Sequence, residues 1–393
     1  MSFLATSLVA VSMALGQTEG DAGVAMALDA GQDASAELPV AASAPEPKAP
    51  ERDVEHWYQR IKPSGFARIG GYLVFPFRDQ ELVGSNAGFR VASARVGASF
   101  HPWDDVNIVT SIDLSAPLRS SADPTQGTRI VALADAFVDY TPFEWLHVRT
   151  GQFRVPFYAE ALYHDGQLPF VTRSVLFSGY EPPEAYAPRE GLALDRQVGF
   201  QISSAMMGGE TVKGRYAVAV VNGNGPNELF NDNNVPAALA RVEIELLKVA
   251  TLGVNGYVNS TVAGVRPNRT TTVYVGYGAD LTVRVMGLQF LAAFLGRSAD
   301  FGPGLTPDAS LGVIGQAAYR HEGTGLEAGV RFAFLEPSAA QVSDQVTETA
   351  AFVGFRPSTW PLRTILQYTH RGEEAAVSLP NDSLDLLLQA TFD

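Results

Sequence analysis

Of the 28 cationic side chains in the chain, all but Lys48, Lys62, Lys213 and Lys248 are arginine. Many of these arginines lie in stretches that alternate apolar and polar residues. Alternate positions put Arg68, Arg95, Arg149, Arg215, Arg241, Arg284, Arg331 and Arg363 on polar faces, with His147 on the face of Arg149. A guanidinium is a planar fork that binds phosphate or carboxylate oxygens two at a time. A row of such forks along a wet wall can therefore form a path for anions. The same faces also carry eight carboxylates: Asp113, Asp135, Asp139, Glu243, Glu245, Asp280, Glu327 and Asp385. In Arg241-Val-Glu-Ile-Glu both carboxylates share the arginine's face. For any one arginine, bracing the wall by an ion pair stands ahead of binding a solute.

Other chemistry finds little support. The chain has no cysteine, which excludes thiol catalysis, disulfides and thiolate metal sites. His56, His101, His147, His164, His321 and His370 show no ligand spacing, and no G-x-S-x-G is present. Asn222 to Asn227 (NGNGPN) lacks the spacing and the following helix of a dinucleotide site, and Asn231 to Asn234 (NDNN) lacks the glycine and distal glutamate of a calcium loop. No cofactor and no metal is expected.

The elements that must position the arginines are strands. From Trp57 onward the period is two. In TTVYVGYGADLTVRV, Val273, Val275, Tyr277, Ala279, Leu281, Val283 and Val285 form one face, and Tyr274, Asp280, Thr282 and Arg284 are on the other. In LADAFVDY the same rule puts Ala134, Ala136, Val138 and Tyr140 together, opposite Asp135 and Asp139. Sixteen such segments can be marked: 66–77, 88–100, 105–115, 129–141, 145–154, 196–206, 213–222, 237–248, 250–261, 271–285, 287–296, 311–321, 325–335, 344–356, 360–370 and 383–392. Most have the length of a tilted strand that crosses a bilayer. Long connections such as RSADFGPGLTPDAS alternate with short ones such as HPWD, TPFE and EGTG. Trp57, Trp103, Trp145 and Trp360 all fall at the short-turn edge, where an indole suits the headgroup level. One face meets lipid and must be apolar, while the other meets water and tolerates charge. Closure satisfies every backbone donor and acceptor. The expected fold is all-β, a transmembrane antiparallel β-barrel of about 16 strands in a bacterial outer membrane.

Residues 1–16 (MSFLATSLVAVSMALG) read as a secretory signal peptide cleaved before Gln17. Residues 17–56 are an acidic, Ala/Pro-rich periplasmic linker, with almost nothing large and apolar to bury. Residues 57–393 form the barrel. The net charge of −14 argues against a nucleic-acid partner. From Trp57 on, 26 basic residues stand against 33 acidic ones, but within the strands the eight inward arginines face eight inward carboxylates, so the lumen has no strong overall field.

One region is more specific than periodicity. LADAFVDYTPFEWLHVRTGQFRVPF, with the downstream TRS element, DRQVGFQISS, GRYAVAVVNGNG and AALARVEIE, resembles the phosphate-selective porin family, porins O and P. The resemblance covers residues 66 to about 260. It implies a sixteen-stranded channel, usually a homotrimer, that passes small solutes, phosphate or other anions. It also implies that the third long loop, residues 155–195, folds inward. Phe157, Tyr158, Leu162, Leu168, Phe170, Val171, Leu176 and Phe177 in that loop need a surface to pack on. Arg154 and Arg173 would then stand at the narrow point with Glu160 and Asp165. Two other readings stay open: a structural anchor gripping the cell wall through the linker, and a barrel hydrolase. Lysines are nearly absent, so the expectation is at most a weak anion preference.

Overall fold

The computed structural model describes residues 57–75, 87–119, 127–180, 191–228, 231–264, 267–374 and 382–392. The signal-like residues 1–16, the acidic segment 17–56 and parts of the long connections lie outside them.

Sixteen long strands form, because their sequences alternate. They are β1 (Ile61–Phe75), β2 (Gly88–Trp103), β3 (Val106–Arg119), β4 (Gly127–Phe143), β5 (Leu146–Arg154), β6 (Arg196–Ser203), β7 (Val212–Val221) and β8 (Ala237–Leu246). The second half comprises β9 (Ala250–Ala263), β10 (Thr270–Val285), β11 (Leu288–Asp300), β12 (Asp308–Arg320), β13 (Leu326–Glu336), β14 (Val346–Phe355), β15 (Leu362–Glu373) and β16 (Asp382–Phe392). Each pairs antiparallel with its neighbours in sequence, and β1 pairs with β16, Tyr72 opposite Asp385, which closes the sheet. All sixteen expected segments are present. The first begins earlier than expected, at Ile61, and the sixth breaks after Ser203. A two-residue piece, Met207–Gly208, resumes the pairing of β6 along β7.

The short turns are tight. Leu247 and Lys248 take φ of 53° and 58° in the β8–β9 turn, and Met286 and Gly287 take 47° and 80° in the β10–β11 turn. Both central residues of each turn are thus left-handed, the geometry whose twist matches a hairpin. Trp57, Trp103, Trp145 and Trp360 are all exposed at this end.

The two faces differ as the alternation requires. Val273, Val275, Tyr277, Leu386 and Leu388 point outward and are exposed, whereas Asp280, Thr282, Asp385 and Gln389 are buried on the inner side. Strict alternation fails at one place in LADAFVDY. Asp135 pairs with Ser111 but Leu133 with Ile112, so Ala134 is an extra residue, a bulge. It shifts the phase. Val131 and Leu133 face out before it and Val138 and Tyr140 after it, while Ala134 itself is buried and does not share the outer face of Ala136.

Part of the inner face is a core. Residues 155–195 join β5 to β6 and include two one-turn helices, α1 (Ala159–Leu162) and α2 (Val175–Ser178). Phe157, Tyr158 and Leu176 pack with Leu239, Tyr257, Leu295, Ile314, Ala333 and Leu335 from β8, β9, β11, β12 and β13. Phe170 and Val171 pack with Ala350, Phe352, Ile365 and Leu387 from β14, β15 and β16. The inner face is therefore not uniformly polar, because the wall supplies apolar residues where this loop lies. Two glycines make room for it. A Cβ at Gly276 would stand 2.0 Å from the Tyr257 ring, which packs edge-on against Phe157, and one at Gly312 would stand 2.9 Å from Leu176.

Candidate functional site

Inward residues of β1, β5, β13, β15 and β16 hold the loop mainly by its backbone. Arg68 on β1 donates to Phe170 O at 3.0 Å. Arg363 on β15 donates to Leu168 O and Pro169 O, both at 2.7 Å. Arg331 on β13 donates to Thr172 O at 2.7 Å, and its guanidinium lies 4.7 Å from the Phe170 ring centre. Gln389 on β16 donates to Gly166 O, while Gln367 on β15 accepts from Val171 N, each at 2.7 Å. Arg154, at the end of β5, donates to Ala161 O at 2.7 Å and also to Tyr163 O. Within the loop, Arg173 binds Asp165 at 2.8 Å and Glu160 O at 2.8 Å. Buried Glu160 accepts from Ser174 and Tyr158.

These contacts shift protons in the loop. Burial alone would raise the Asp165 pKa, but the guanidiniums of Arg173, Arg154, Arg68 and Arg95 more than offset it and bring it down to about 2. Burial, and then the Glu160 carboxylate, push the Tyr158 hydroxyl well above its usual range.

All eleven basic residues singled out in the sequence face inward or lie in the loop, but they are not equivalent. Arg68, Arg241, Arg331 and Arg363 are buried, with exposures of 2–4%. They brace the loop and the wall and expose almost no surface to solvent. Arg95 is also buried and lies 3.8 Å from both Asp113 and Asp135. Arg173 is spent inside the loop. Arg149, His147, Arg154 and Arg215 meet at a cavity of about 230 Å³ toward the short-turn end, with Arg241 and Glu243 in its wall. Here pairing is nearly complete. Arg149 chelates Asp139 at 2.6 and 2.9 Å. Arg215 and Arg241 share Glu243, and Arg241 also chelates Asp280 through two bonds of 2.7 Å.

Arg284 belongs to a second cavity at that end, of about 440 Å³. Among the described residues its guanidinium meets only Tyr163, through the phenol oxygen and the ring face. Beside it, Glu327 faces three guanidiniums: Arg363 at 2.6 Å, Arg356 at 3.2 Å and Arg320 at 3.9 Å. Arg320 and Arg356 are about a third exposed. Burial lowers the Arg356 pKa, Glu327 opposes that, and Arg320 adds to it. Pro169, Ala318 and Phe352 also line this cavity. The sequence reading missed Arg320 and Arg356. Their signal was phase: Arg320 is in step with inward Gln316, and Arg356 with inward Glu348 and Phe352.

Among the described residues no group of three or more His, Asp or Glu side chains is placed to hold a metal ion, and no helix is long and apolar enough to cross a membrane. Spanning is the work of strands. A closed sheet of sixteen strands with an apolar outer belt and a charged inner face is a bacterial outer-membrane β-barrel.

No protein-family model and no curated protein matches the chain. Solved structures do match its fold. The outer membrane channel DcaP of Acinetobacter baumannii superposes with a TM-score of 0.56 at 14% identity, covering 84% of this chain and 97% of that one. An anion-selective porin from Comamonas acidovorans gives 0.55 at 10% identity, covering 84% and 99%. OmpT, an outer membrane protein of Vibrio cholerae in its trimer form, gives 0.53 at 10% identity, with the same coverage. At these identities the likeness is one of fold.

Proposed function

We propose that the protein is an outer-membrane channel through which small hydrophilic solutes diffuse without being chemically changed. The observation that carries this reading is the docked loop. It is held inside a sixteen-stranded wall by arginines from many strands, and polar, cation-lined cavities remain beside it. A barrel built only as an anchor has no need of a braced internal loop with wet flanks.

The sign of selectivity follows from the unbalanced cations. Most inward arginines are neutralised by Asp or Glu, but Arg284, Arg320 and Arg356 are not fully matched. A weak preference for anions is the reading they support, and one of the fold neighbours is itself described as anion-selective. Phosphate, which the resemblance to porins O and P implies, is one candidate solute. The wall has no lysine cluster to hold it tightly. By analogy with the trimeric neighbour, the working assembly is a homotrimer.

The test is a planar-bilayer recording of the purified protein. Stable conductance steps are expected, with a reversal potential in a salt gradient displaced modestly toward the anion side. Absence of any steps would favour the anchor reading. Block of the chloride current by submillimolar phosphate would restore a tight phosphate site.

A further inference from the structure

In the cavity bounded by Arg284, Arg320, Arg356 and Arg363 a single carboxylate, Glu327, carries the ion pairing among the described residues. Four guanidiniums line it against two carboxylates, Glu327 and Glu322. Glu327 is asked to serve three of them at once, at 2.6, 3.2 and 3.9 Å. Two oxygens cannot give three forks bidentate partners, and the geometry records the shortfall. The buried Nε of Arg320 has no hydrogen-bond partner among the described residues. Among the described residues the Arg284 guanidinium has only the tyrosine. Unpaired donors of this kind are costly and gain most from an incoming carboxylate or phosphate. The cavity is not purely polar. Pro169 and Phe352 are buried and present an apolar floor beside Ala318, under the rim of guanidiniums. Its volume of about 440 Å³ falls in the range of small-molecule sites. An inorganic anion would leave that floor uncovered.

We propose that this cavity is a binding site for a small organic anion: a planar carboxylate group held by Arg320, Arg356 and Arg284, with a compact apolar body lying on Phe352, Pro169 and Ala318. The site deepens the channel reading, since its occupant would be a solute held on its way through the short-turn mouth. Arg363 and Glu327 are the fixed back wall, and Arg320 and Arg356 are the adjustable rim. Glu327 competes with the ligand for the same forks and so sets the affinity. A carboxylate that approaches the part-exposed end of Arg320 competes only with a long 3.4 Å bond to Arg356 O, while the buried Nε keeps its 3.9 Å approach to Glu327.

The test is binding to the folded full chain in detergent, measured by calorimetry so that it does not depend on ion flow. The probes are benzoate, inorganic phosphate and benzyl alcohol, at low ionic strength. Benzoate is expected to give saturable binding, phosphate weaker binding, and benzyl alcohol none. Arg320→Gln with Arg356→Gln should weaken benzoate about tenfold or more, because two charge-assisted contacts are lost. Both side chains are part-exposed, and Arg363 keeps Glu327 paired, so the barrel should still fold. Glu327→Gln should act in the opposite direction and tighten benzoate. Absence of saturable benzoate binding, or equal affinity in the double variant, would overturn the site. Phosphate binding as tightly as benzoate would overturn the part played by the apolar floor. Benzoate binding fails or succeeds here independently of bilayer conductance, which tests the channel itself.

Discussion

Arg241 and Arg363 stand on opposite sides of the same wall, both buried and both in contact with the loop, yet they belong to different kinds of site. Arg241 sits between Glu243 and Asp280, makes three bonds of 2.6–2.7 Å to them, and only grazes Phe157 O at 3.5 Å. Its guanidinium is saturated. Arg363 shares one carboxylate with two further arginines and turns its other donors to the loop backbone. The first arrangement closes on itself, and the second leaves donors over. Arginine content therefore does not identify an anion path. What matters is the ratio of forks to carboxylate oxygens at each place, and how much of each fork water can reach.

The sharpest way to break the contrast is Asp280→Ala. It strips Arg241 of its chelating partner in a dry place, and such a loss costs about 3–5 kcal/mol. Denaturant unfolding should show the loss, whereas an unchanged midpoint would mean the network is not closed. A Val275→Arg change on the same strand, but on its outer face, puts charge toward lipid and should cost about 2–4 kcal/mol if that position lies at the midplane. Normal insertion of that variant would mean that the face of β10 is misassigned.

Acid sharpens the comparison at the loop. The folded Asp165 pKa of about 2 lies below its ordinary value of 3.8. A depressed carboxyl contributes stability that is fully present above the ordinary value and is lost as pH falls through the folded one. Its contribution, about 2 kcal/mol at most, should hold at neutral pH and fade between pH 4 and 2. Channel noise or conductance should change in that window, and Asp165→Asn should show the change already at pH 7. Removing residues 155–178 altogether should raise single-channel conductance, and no rise would place the loop outside the conduction path. The smallest expected effect is Arg356→Ala. Arg356 is about a third exposed and Glu327 keeps its 2.6 Å bond to Arg363 without it, so stability should shift by under about 1 kcal/mol. A loss as large as that of Asp280→Ala would mean that both arginine clusters are closed networks.

The fold was legible because period-two alternation is imposed by lipid on one side and by polar groups on the other, and that constraint is local. The failures were local too. Ala134 broke phase because a bulge adds a residue that no composition rule reveals. Arg320 and Arg356 were overlooked because they stand where strands become turns, although both keep step with inward residues before them. The loop's apolar residues showed that something must cover them. Which inner strands would do so was not readable, since Leu335, Ile314 and Leu295 are inward apolar residues from three strands whose convergence depends on closure. The division of the arginines into saturated and unsaturated ones was also out of reach, because Glu327 and its three partners come from β12, β13, β15 and a turn far apart in the chain.

Most of the wall's grip on the loop falls on carbonyl oxygens. Arg68, Arg154, Arg331, Arg363 and Gln389 donate to the main chain of Phe170, Ala161, Thr172, Leu168, Pro169 and Gly166. A socket that recognises a path of backbone is indifferent to much of what that backbone carries. Loop side chains that face the remaining water, such as Tyr163 and Gln167, can be exchanged without rewriting the barrel. The scaffold thus separates heredity of shape from heredity of preference. Over generations, or on the bench, new solute tastes can be grafted onto an unchanged wall a single side chain at a time.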